Sequence, residues 1–446
     1  MSWHDDARAK GVWRGAAVVI AGAGLSGSAA ARVLTDLGAD VTLVDARLGN
    51  DGELPTAADL VVTSPGWAPL HPLLVAAAAR DVPVWGDVEL AWRLRDPAVA
   101  WLGVTGTNGK TTTVRMLASM LAAAGHRTVA AGNVGLPLLD AVLPGSPYDV
   151  IAVELSSYQL HWTSTVACAA AAILNVAPDH LDWHGSFDAY AADKARIWAP
   201  GTVAVANADD ASTRALSAGR AQVSFTLGHP GPGQLGVRDG WLVDATGIDL
   251  GSAVRLAPVD AVRPAAPHNV ANALAAAALA RTHGVEPAAV EAGLRAFVPD
   301  AHRIAAVGIV AGVAYVDDSK ATNAHAAEAS IASFDHVVWV AGGLAKGARF
   351  DELVVSAASR LRGVVLMGRD RALIGDAVAR HAPDVPVVDV STSDTGAMDD
   401  VVRAAAGLAR PGDTVLLAPA CASMDMFTNY GERGDAFAAA VARLRP

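Results

Sequence analysis

The sequence predicts an α/β chain in which three units of parallel strands and helices follow one another. Short, nearly all-apolar runs recur along its 446 residues, and helical segments separate them. Runs of this kind are typical of strands that are buried on both faces of a parallel sheet. Several runs end in glycine-rich or polar turns, at the sheet edge where α/β folds bind their ligands. At about 150 residues per domain, the length also predicts three domains.

The first unit, residues 1–96, is predicted to be a Rossmann-like domain. The apolar run 16–21 leads into the turn 22–27 (G-A-G-L-S-G) and an alanine-rich helix, and the next strand ends at Asp45. This pattern is the dinucleotide-binding fingerprint, which suits a nicotinamide cofactor or another nucleotide diphosphate such as a UDP group. A purely structural glycine turn is the alternative. The dipeptide 96–97 (D-P) ends the unit, because helix is disfavoured before proline.

The central unit, residues 97–300, is predicted to be a P-loop ATPase-type α/β domain with a small β appendage at 226–267. Its first strand runs into the loop 106–112 (G-T-N-G-K-T-T), which opens a helix. Backbone N–H groups at such a helix start cradle phosphate oxygens, while Lys110 can neutralise phosphates and Thr111 can ligate Mg²⁺. The loop is a variant, because valine stands at the first glycine of the usual spacing. The alternative is an ordinary turn with a surface lysine.

Polar residues collect after two later strands of the central unit. Glu154 follows one apolar run, and the segment 175–184 (N-V-A-P-D-H-L-D-W-H) follows the next. Oxygen ligands predominate and no cysteine is near, so this cluster suits Mg²⁺ better than zinc. Any of these residues could instead be a cap or a solvated loop residue, and for Asp182 and His184 we favour that interpretation. Lys194, on the following helix, would by default face solvent.

The third unit, residues 301–446, is predicted to be a second Rossmann-like α/β domain. Polar segments follow three of its strands, at 317–323, 342–347 and 419–423. Spacing alone leaves open whether these loops carry chemistry or are simply solvated.

Composition and charge exclude several classes of function. The net charge of -11 argues against a nucleic-acid partner, which would require a large basic surface. The two cysteines, Cys168 and Cys421, support neither a disulfide framework nor a Cys-rich metal site. We see no export signal, and no apolar stretch reaches the ~18 residues that span a bilayer. We therefore expect a cytoplasmic protein without membrane insertion.

Taken in order, these motifs resemble those of the Mur ligases, and the resemblance spans nearly the whole chain. The segments that carry it are 106–112, 154–160, 175–183, 190–194, 268–272, 302–303, 318–323 and 417–423. Within that family the chain is most similar to the members that add D-glutamate to UDP-N-acetylmuramoyl-L-alanine, a peptidoglycan precursor. The resemblance implies that the first domain holds UDP, the central domain ATP and two Mg²⁺ ions, and the third domain the amino acid. We also expect a monomer.

The resemblance implies a role for each matching residue. The implied ATP contacts are Gly106, Thr107, Asn108, Gly109, Lys110, Thr111, Thr112, Asn269, Asn272, Arg303 and Asp318. The implied contacts to the UDP substrate are Ser26, Asp45, Arg47, Ser64, Gly66, Asn133 and Ser157. The implied D-glutamate contacts are Lys320, Thr322, Lys346, Ser423 and Tyr430. The implied metal positions are Thr111, Glu154, His180 and Lys194, the last as a carbamate, and the implied catalytic set is Lys110, Glu154, His180 and Lys194.

Two positions depart from the family pattern, and several alternatives stay open. Ala46 stands where threonine is often found, which weakens the uridine assignment, and Tyr430 stands where phenylalanine is common. The nearest alternative is a related ligase that adds L-alanine or a diamino acid. Folylpolyglutamate synthase is more distant, because it lacks a leading UDP domain. A nicotinamide oxidoreductase would explain the first glycine turn but not Lys110, Glu154 or His180. A catalytically silent nucleotide-binding regulator is the last alternative.

Overall fold

The protein is described by a computed structural model that covers residues 6–9, 11–50, 52–143, 145–247, 253–391 and 396–444. Its contacts divide the chain into two compact units. The first comprises Met1–Ala265 and Asn269–Phe297, and the second Ala266–His268 and Val298–Pro446. The first unit contains two separate sheets, one in each of the first two predicted domains. The α/β class is confirmed, and the exact three-domain division stays a prediction.

The first sheet has four parallel strands in the order β2-β1-β3-β4. Its elements are β1 Ala17–Ala21, α1 Leu25–Asp36, β2 Asp40–Val44, β3 Leu60–Thr63, α2 Pro72–Ala79, β4 Val84–Gly86 and α3 Asp87–Leu94. Because all four strands run the same way, the turns that follow them meet at one edge of the sheet. The turn 22–27, Asp45, Ser64 and Asp87 all lie at that edge.

The second sheet has nine strands in the order β13-β12-β11-β10-β9-β8-β5-β7-β6. Its first elements are β5 Ala100–Thr105, α4 Lys110–Ala123, β6 Thr128–Gly132, α5 Leu138–Val142, β7 Val150–Glu154, α6 Ser157–His161, β8 Ala170–Ile173, α7 Leu181–His184 and α8 Phe187–Ala195. The others are β9 Val203–Asn207, α9 Ala211–Ser217, β10 Ala221–Phe225, β11 Gln234–Arg238, β12 Trp241–Asp244, β13 Val254–Pro258, α10 Pro267–Thr282 and α11 Pro287–Ala296.

The predicted β appendage is a continuation of this second sheet. Strands β11, β12 and β13 pair antiparallel, and β10 joins them to the parallel strands. The alanine-rich helix α10 is buried almost all round and packs in the apolar core of this sheet. A second apolar cluster contains side chains of both sheets of the unit, including Ile20, Trp85, Leu138 and Ile173. The two sheets therefore share a core.

The second unit has a six-stranded sheet in the order β14-β15-β19-β16-β17-β18. All of its pairs are parallel except the edge pair of β14 with β15. Its elements are β14 Ala305–Val310, β15 Val313–Asp317, α12 Ala324–Ile331, β16 Val337–Ala341, α13 Asp351–Ala357, β17 Leu361–Leu366, α14 Arg371–His381, β18 Val387–Asp389, α15 Ala397–Leu408, β19 Thr414–Leu417 and α16 Tyr430–Arg443. Among the described residues, none of the helices combines the length and apolar character needed to cross a bilayer.

Candidate active site

The predicted phosphate loop connects the end of β5 to the start of α4, the geometry that such a loop requires. Gly109 precedes the helix with a φ of +86°, and a Cβ there would lie 2.3 Å from Asn272 Oδ1. Both facts demand glycine. From the end of β8, Asn175 Oδ1 accepts from the Asn108 N–H at 2.9 Å and Asn175 Nδ2 donates to the Asn108 carbonyl at 3.1 Å. The neighbouring strand therefore fixes the loop, and the first N–H groups of α4 point outward from it.

Two lysines converge on the carbonyl of one loop residue. Lys110 Nζ donates to the Gly106 carbonyl at 2.9 Å and to the Thr107 carbonyl at 3.0 Å. Lys194 Nζ donates to the same Gly106 carbonyl at 2.9 Å. Lys194 is 1% exposed, so the default expectation of a solvent-facing lysine is wrong. Burial, and then the charge of Lys110, hold the pKa of Lys194 well below its usual value of 10.5. This environment favours the uncharged amine.

Glu154, the last residue of β7, is buried with half of its carboxylate unused. Its Oε1 accepts from Asn133 Nδ2 at 2.9 Å, and the Asn133 N–H donates to the Glu154 carbonyl at 3.0 Å. Within the described part of the chain, Glu154 Oε2 is buried and has no hydrogen-bond partner. A buried carboxylate oxygen in this state is costly unless a cation or a donor reaches it.

His180 lies just after β8, in a strained backbone conformation with a φ of +54°. Its backbone N–H donates to Asp179 Oδ1 at 3.0 Å, and its ring lies 4.9 Å from the ring of Tyr158. Burial is the main cause that lowers the pKa of His180. The neutral imidazole that results is the form that ligates metal ions.

The His184 side chain is 1% exposed, so it is not the cap or solvated loop residue that the sequence favoured. Its Nδ1 lies 3.0 Å from Asp193 Oδ2, and its Nε2 lies 3.0 Å from Ser157 Oγ. The same Asp193 oxygen lies 2.9 Å from His161 Nδ1. The buried carboxylate of Asp193 therefore ties helices α6, α7 and α8 together around the site.

A cavity of about 120 Å³ lies where these groups meet. Six of the predicted site residues line it, namely Thr107, Lys110, Asn133, Ser157, His180 and Lys194. Tyr158 and Tyr190 form part of its wall, and the Tyr190 hydroxyl lies 2.9 Å from Thr107 Oγ1. The sequence therefore predicted side chains that the fold brings to one place.

The donors at and beside this cavity fit Mg²⁺ in part. Glu154, behind Asn133, has a carboxylate oxygen without a partner in the described part of the chain, and lining residue His180 favours the neutral imidazole. Among the described residues, no group of three His, Cys, Asp or Glu side chains is arranged around one metal position. A Mg²⁺ ion here would draw its other ligands from hydroxyl, phosphate or water oxygens, in keeping with its preference for keeping several non-protein ligands.

The two predicted asparagines of helix α10 lie beside the phosphate loop. Asn272 Nδ2 donates to Asn269 Oδ1 at 3.4 Å, and Asn269 Nδ2 donates to the Pro264 carbonyl at 3.2 Å. Since Asn272 also approaches Gly109, it belongs to the wall of the loop. The remaining loop residues, Thr111 and Thr112, lie in the first turn of α4.

In the glycine turn of the first sheet, the backbone of Gly27 packs directly against the backbone of Gly22. A Cβ at Gly27 would lie 1.8 Å from the Gly22 carbonyl oxygen, so α1 can approach the turn only with glycine there. Ser64 Oγ donates to the same carbonyl at 3.4 Å, and Gly66 lies exposed two residues further on. This edge of the sheet is therefore shaped as a dinucleotide-type turn. The predicted residue Ser26 lies in the first helical turn that follows.

Asp45 is the polar centre of this first turn. Its Oδ2 accepts from the Ala23 N–H at 2.7 Å, and its Oδ1 accepts from the Arg47 N–H at 2.9 Å. The Arg47 guanidinium pairs with it through Nη2 at 2.6 Å. These contacts, the Arg47 side chain first, hold the pKa of Asp45 well below its usual range. Asp45 and Arg47 are thus a pair, and Arg47 itself is largely exposed.

Four of the five predicted amino-acid contacts lie on three loops of the second unit, and the fifth, Tyr430, is the first residue of α16. The Ala420 N–H donates to the Ala321 carbonyl at 2.9 Å, and residues 344 and 422 form a two-way backbone bridge. The residues that these loops carry are Lys320, Thr322, Lys346 and Ser423. Lys320 Nζ lies 3.9 Å from the centre of the Tyr430 ring. The loops that hold the predicted residues therefore do converge.

Asp318 and Arg303, both predicted ATP contacts, belong to the same unit. Asp318 is nearly buried, and its Oδ1 accepts from the Ile304 N–H at 3.3 Å. Burial raises the pKa of Asp318 to about 6, against the opposing charge of Arg303.

Sequence reasoning missed two buried charges. Arg433 is 1% exposed, and it donates to Ser319 Oγ at 2.9 Å, to the Ser319 carbonyl at 2.8 Å and to the Cys421 carbonyl at 3.1 Å. Arg433 therefore holds two of the three loops together, and no local sequence pattern predicts this role. Asp87 is the other one. The sequence signal that could have identified Asp87 is its position directly after a strand, which Asp45 shares.

Comparison with known proteins gives matches along most of the chain. Residues 104–280 match the model of the Mur ligase middle domain, and residues 302–421 match the Mur ligase, glutamate ligase domain. A UDP-N-acetylmuramoylalanine–D-glutamate ligase of Streptomyces coelicolor is 60% identical, over 96% of this chain and 98% of its own length. One of the same name from Thermobifida fusca is 55% identical, over 97% of this chain and 99% of its own.

Solved structures share the fold at low sequence identity. A pseudomurein peptide ligase type C from Methanothermus fervidus is 17% identical with a TM-score of 0.60, and covers 96% of this chain and 100% of that one. A UDP-N-acetylmuramate-alanine ligase from Thermotoga maritima is 20% identical with a TM-score of 0.57, and covers 96% and 98%. The sequence matches over almost the full length decide the family. This chain belongs to the Mur ligases.

Proposed function

We propose that this protein is an ATP-dependent ligase that joins D-glutamate to UDP-N-acetylmuramoyl-L-alanine through an acyl-phosphate intermediate. The observation that carries the proposal is the cavity in which the phosphate loop, Lys110, His180 and Lys194 meet. Asn133, which also lines it, donates to Glu154, whose Oε2 has no hydrogen-bond partner within the described residues. The names of the 60% and 55% identical relatives support the choice of substrates. Family membership leaves the nicotinamide oxidoreductase without support.

The first step activates a carboxylate that is itself a poor acyl donor. The alanyl carboxylate attacks the γ phosphorus of ATP, the bond to the bridging oxygen breaks, and ADP leaves. Two anions must approach, and unit charges ~4 Å apart repel by about 4 kcal/mol at an effective dielectric constant of ~20. Lys110 offsets part of this repulsion, because its ammonium lies at the loop that cradles the phosphates.

Mg²⁺ would supply further charge compensation to the phosphate oxygens when bound. The residues that would hold it are Thr111, Glu154 and His180, with Lys194 as a carbamate at a second position. The buried amine of Lys194 supports that modification, since its depressed pKa favours the neutral, nucleophilic form. The amine would add to the carbon of CO₂ and release one proton, leaving a carboxylate in the cavity.

The second step is the attack of the D-glutamate amine on the acyl phosphate. The amine must first lose its proton, and the tetrahedral intermediate then expels phosphate and leaves the new amide. Lys320, Thr322, Lys346, Ser423 and Tyr430 would surround the amino acid, because two cationic side chains among them suit its carboxylates. Asn269, Asn272, Arg303 and Asp318 would contact ATP. The UDP group would occupy the first sheet, at Ser26, Asp45, Arg47, Ser64 and Gly66, with Asn133 and Ser157 nearer the sugar.

The remaining expectations complete the proposal. The three domains would divide at residues 96 and 300, so that each sheet serves one substrate. The enzyme would act as a monomer in the cytoplasm, where UDP-linked precursors and ATP are available to it.

Release of phosphate from ATP tests the proposal. Purified protein is given Mg²⁺, ATP and UDP-N-acetylmuramoyl-L-alanine, and then a panel of D- and L-amino acids. We expect release with D-glutamate and not with L-alanine, L-glutamate or a diamino acid. Release with L-alanine or a diamino acid in place of D-glutamate would assign a different member of the family. No release with any amino acid would indicate a catalytically silent regulator.

A further inference from the structure

Helix α3 begins with two buried acids, Asp87 and Glu89, directly after the end of strand β4. Asp87 is 7% exposed and Glu89 is fully buried. They lie at the sheet edge that also carries the glycine turn and Asp45. Buried carboxylates are rare unless their oxygens are paired, so each should have donors that account for it.

Glu89 has a full set of donors. Its two oxygens accept from the backbone N–H and hydroxyl groups of Ser164 and Thr165 at distances from 2.6 to 3.1 Å. Arg93 adds an ion pair at 2.7 Å. Since every donor belongs to the chain itself, Glu89 is a structural tie between α3 and the segment that follows α6.

Asp87 is only half satisfied. Its Oδ2 accepts from Ser26 Oγ at 3.0 Å and from Gln159 Nε2 at 3.3 Å. Its Oδ1 is buried and has no hydrogen-bond partner in the part of the chain that the structure describes. An aspartate with a purely structural role would gain nothing from a buried oxygen that accepts no hydrogen bond, because such an oxygen lowers stability. Burial raises the pKa of Asp87, so the position offers its contacts with Ser26 and Gln159 and not a free charge.

The two partners of Asp87 belong to different sites. Ser26 lies in the first turn of α1, beside the glycine turn of the first sheet. Gln159 lies on α6, where it forms a capping box with Ser156, and the adjacent Ser157 lines the catalytic cavity. One carboxylate oxygen therefore connects the nucleotide side of the molecule to the cavity side.

We infer that Asp87 is a positioning residue for the nucleotide-sugar substrate, which it serves by holding Ser26 and Gln159 in a fixed relation. The inference rests on the proposed function, in which one substrate molecule reaches from the glycine turn to the cavity. Its UDP end lies beside Ser26 and its carboxylate end beside α6. With Asp87 in place, the Ser26 hydroxyl and helix α6 keep the spacing that this substrate requires.

Steady-state kinetics of Asp87→Ala test the inference. We expect the KM for UDP-N-acetylmuramoyl-L-alanine to rise about tenfold or more, because Ser26 and Gln159 lose the side chain that holds them in place. The KM for ATP stays at the wild-type value, and kcat changes less than this KM. The matched control is Glu89→Gln, which lowers the Tm and leaves the same KM unchanged. Equal changes of both KM values, or no change of either, would overturn the inference.

A double-mutant cycle with Ser26→Ala separates positioning from general loss of packing. If Asp87 acts through Ser26, the double variant raises the substrate KM no more than the stronger single variant. Effects that multiply would contradict the inference. If Asp87→Ala fails to fold, Asp87→Asn replaces it in the same double-mutant cycle, because asparagine keeps the shape of the side chain and one acceptor oxygen. Its expected rise in KM is smaller.

Wild-type protein separates failure of the inference from failure of the proposed function. Protein that releases no phosphate with UDP-N-acetylmuramoyl-L-alanine and D-glutamate contradicts the function itself. Active wild-type protein with an unchanged substrate KM in both Asp87 variants contradicts only the positioning role.

Discussion

The molecule contains two glycine turns that have the same backbone arrangement and differ in the side chains around them. Both the turn 22–27 and the loop 106–109 follow a parallel strand, open a helix and contain a glycine where a Cβ would collide with a neighbour. Around the first turn, Asp45 accepts a backbone N–H and is paired with Arg47. Around the second, two lysines converge on one carbonyl. The two turns are therefore alike in their backbone and differ in the charged side chains beside them.

We infer from this difference that the first turn serves substrate binding and that the second loop takes part in the reaction. At the first turn Asp45 and Arg47 are paired within the chain, and we propose that this turn holds the UDP group without reacting with it. At the second loop, burial favours the uncharged amine of Lys194, which donates to the Gly106 carbonyl, and Glu154 Oε2 has no partner among the described residues. We therefore expect substitutions at the second loop to change kcat, and substitutions at the first to change the KM of the UDP substrate.

The largest effect is expected for Lys110→Ala. The variant loses the ammonium group that offsets the charge of the transferred phosphoryl group, so kcat should fall about 10³-fold. Phosphate release measures it, with Lys110→Arg as the control that keeps the charge and changes the geometry. A kcat within tenfold of wild type would show that the second loop is not the reacting one.

Lys194→Ala should lower kcat about 10²-fold, because the carboxylate that a carbamate would bring to the cavity is lost. Bicarbonate should fail to restore activity, since no amine remains to be modified. Acetate or propionate should restore part of it by placing a carboxylate in the space left by the side chain. Full activity of this variant without any addition would discredit the role given to Lys194.

Asp45→Ala should act on binding at the first turn. We expect the KM for the UDP substrate to rise roughly tenfold, with kcat close to wild type, because charged hydrogen bonds that shape the turn are lost. Steady-state kinetics with varied UDP substrate measure both constants. A large fall in kcat with an unchanged KM would contradict the inference that the first turn serves binding and the second loop serves the reaction.

Arg47→Ala should have the smallest effect, a rise of about threefold in the same KM. The Arg47 side chain is largely exposed, and exposed ion pairs contribute little. A rise beyond tenfold would mean that the guanidinium leaves Asp45 and contacts the nucleotide directly. The same kinetic assay, run beside Asp45→Ala, decides between these outcomes.

The sequence predicted best what is encoded locally. The apolar runs predicted the strands, and the glycine and polar segments after them predicted that Lys110 and His180 would meet, because parallel strands bring their carboxyl ends together. It failed where partners are far apart in sequence. Asp87 bonds to residues 61 and 72 positions away, and Arg433 bonds to one 114 positions away. Burial, which decides the chemistry of Lys194, is likewise set by distant contacts.

The origin of the oxygen in the released phosphate tests the central claim most directly. The alanyl carboxylate of UDP-N-acetylmuramoyl-L-alanine is labelled with ¹⁸O, and the phosphate formed with Mg²⁺, ATP and D-glutamate is analysed by mass spectrometry. If the carboxylate strikes the γ phosphorus, one labelled oxygen passes into each phosphate. Unlabelled phosphate, formed together with the amide product, would contradict the account.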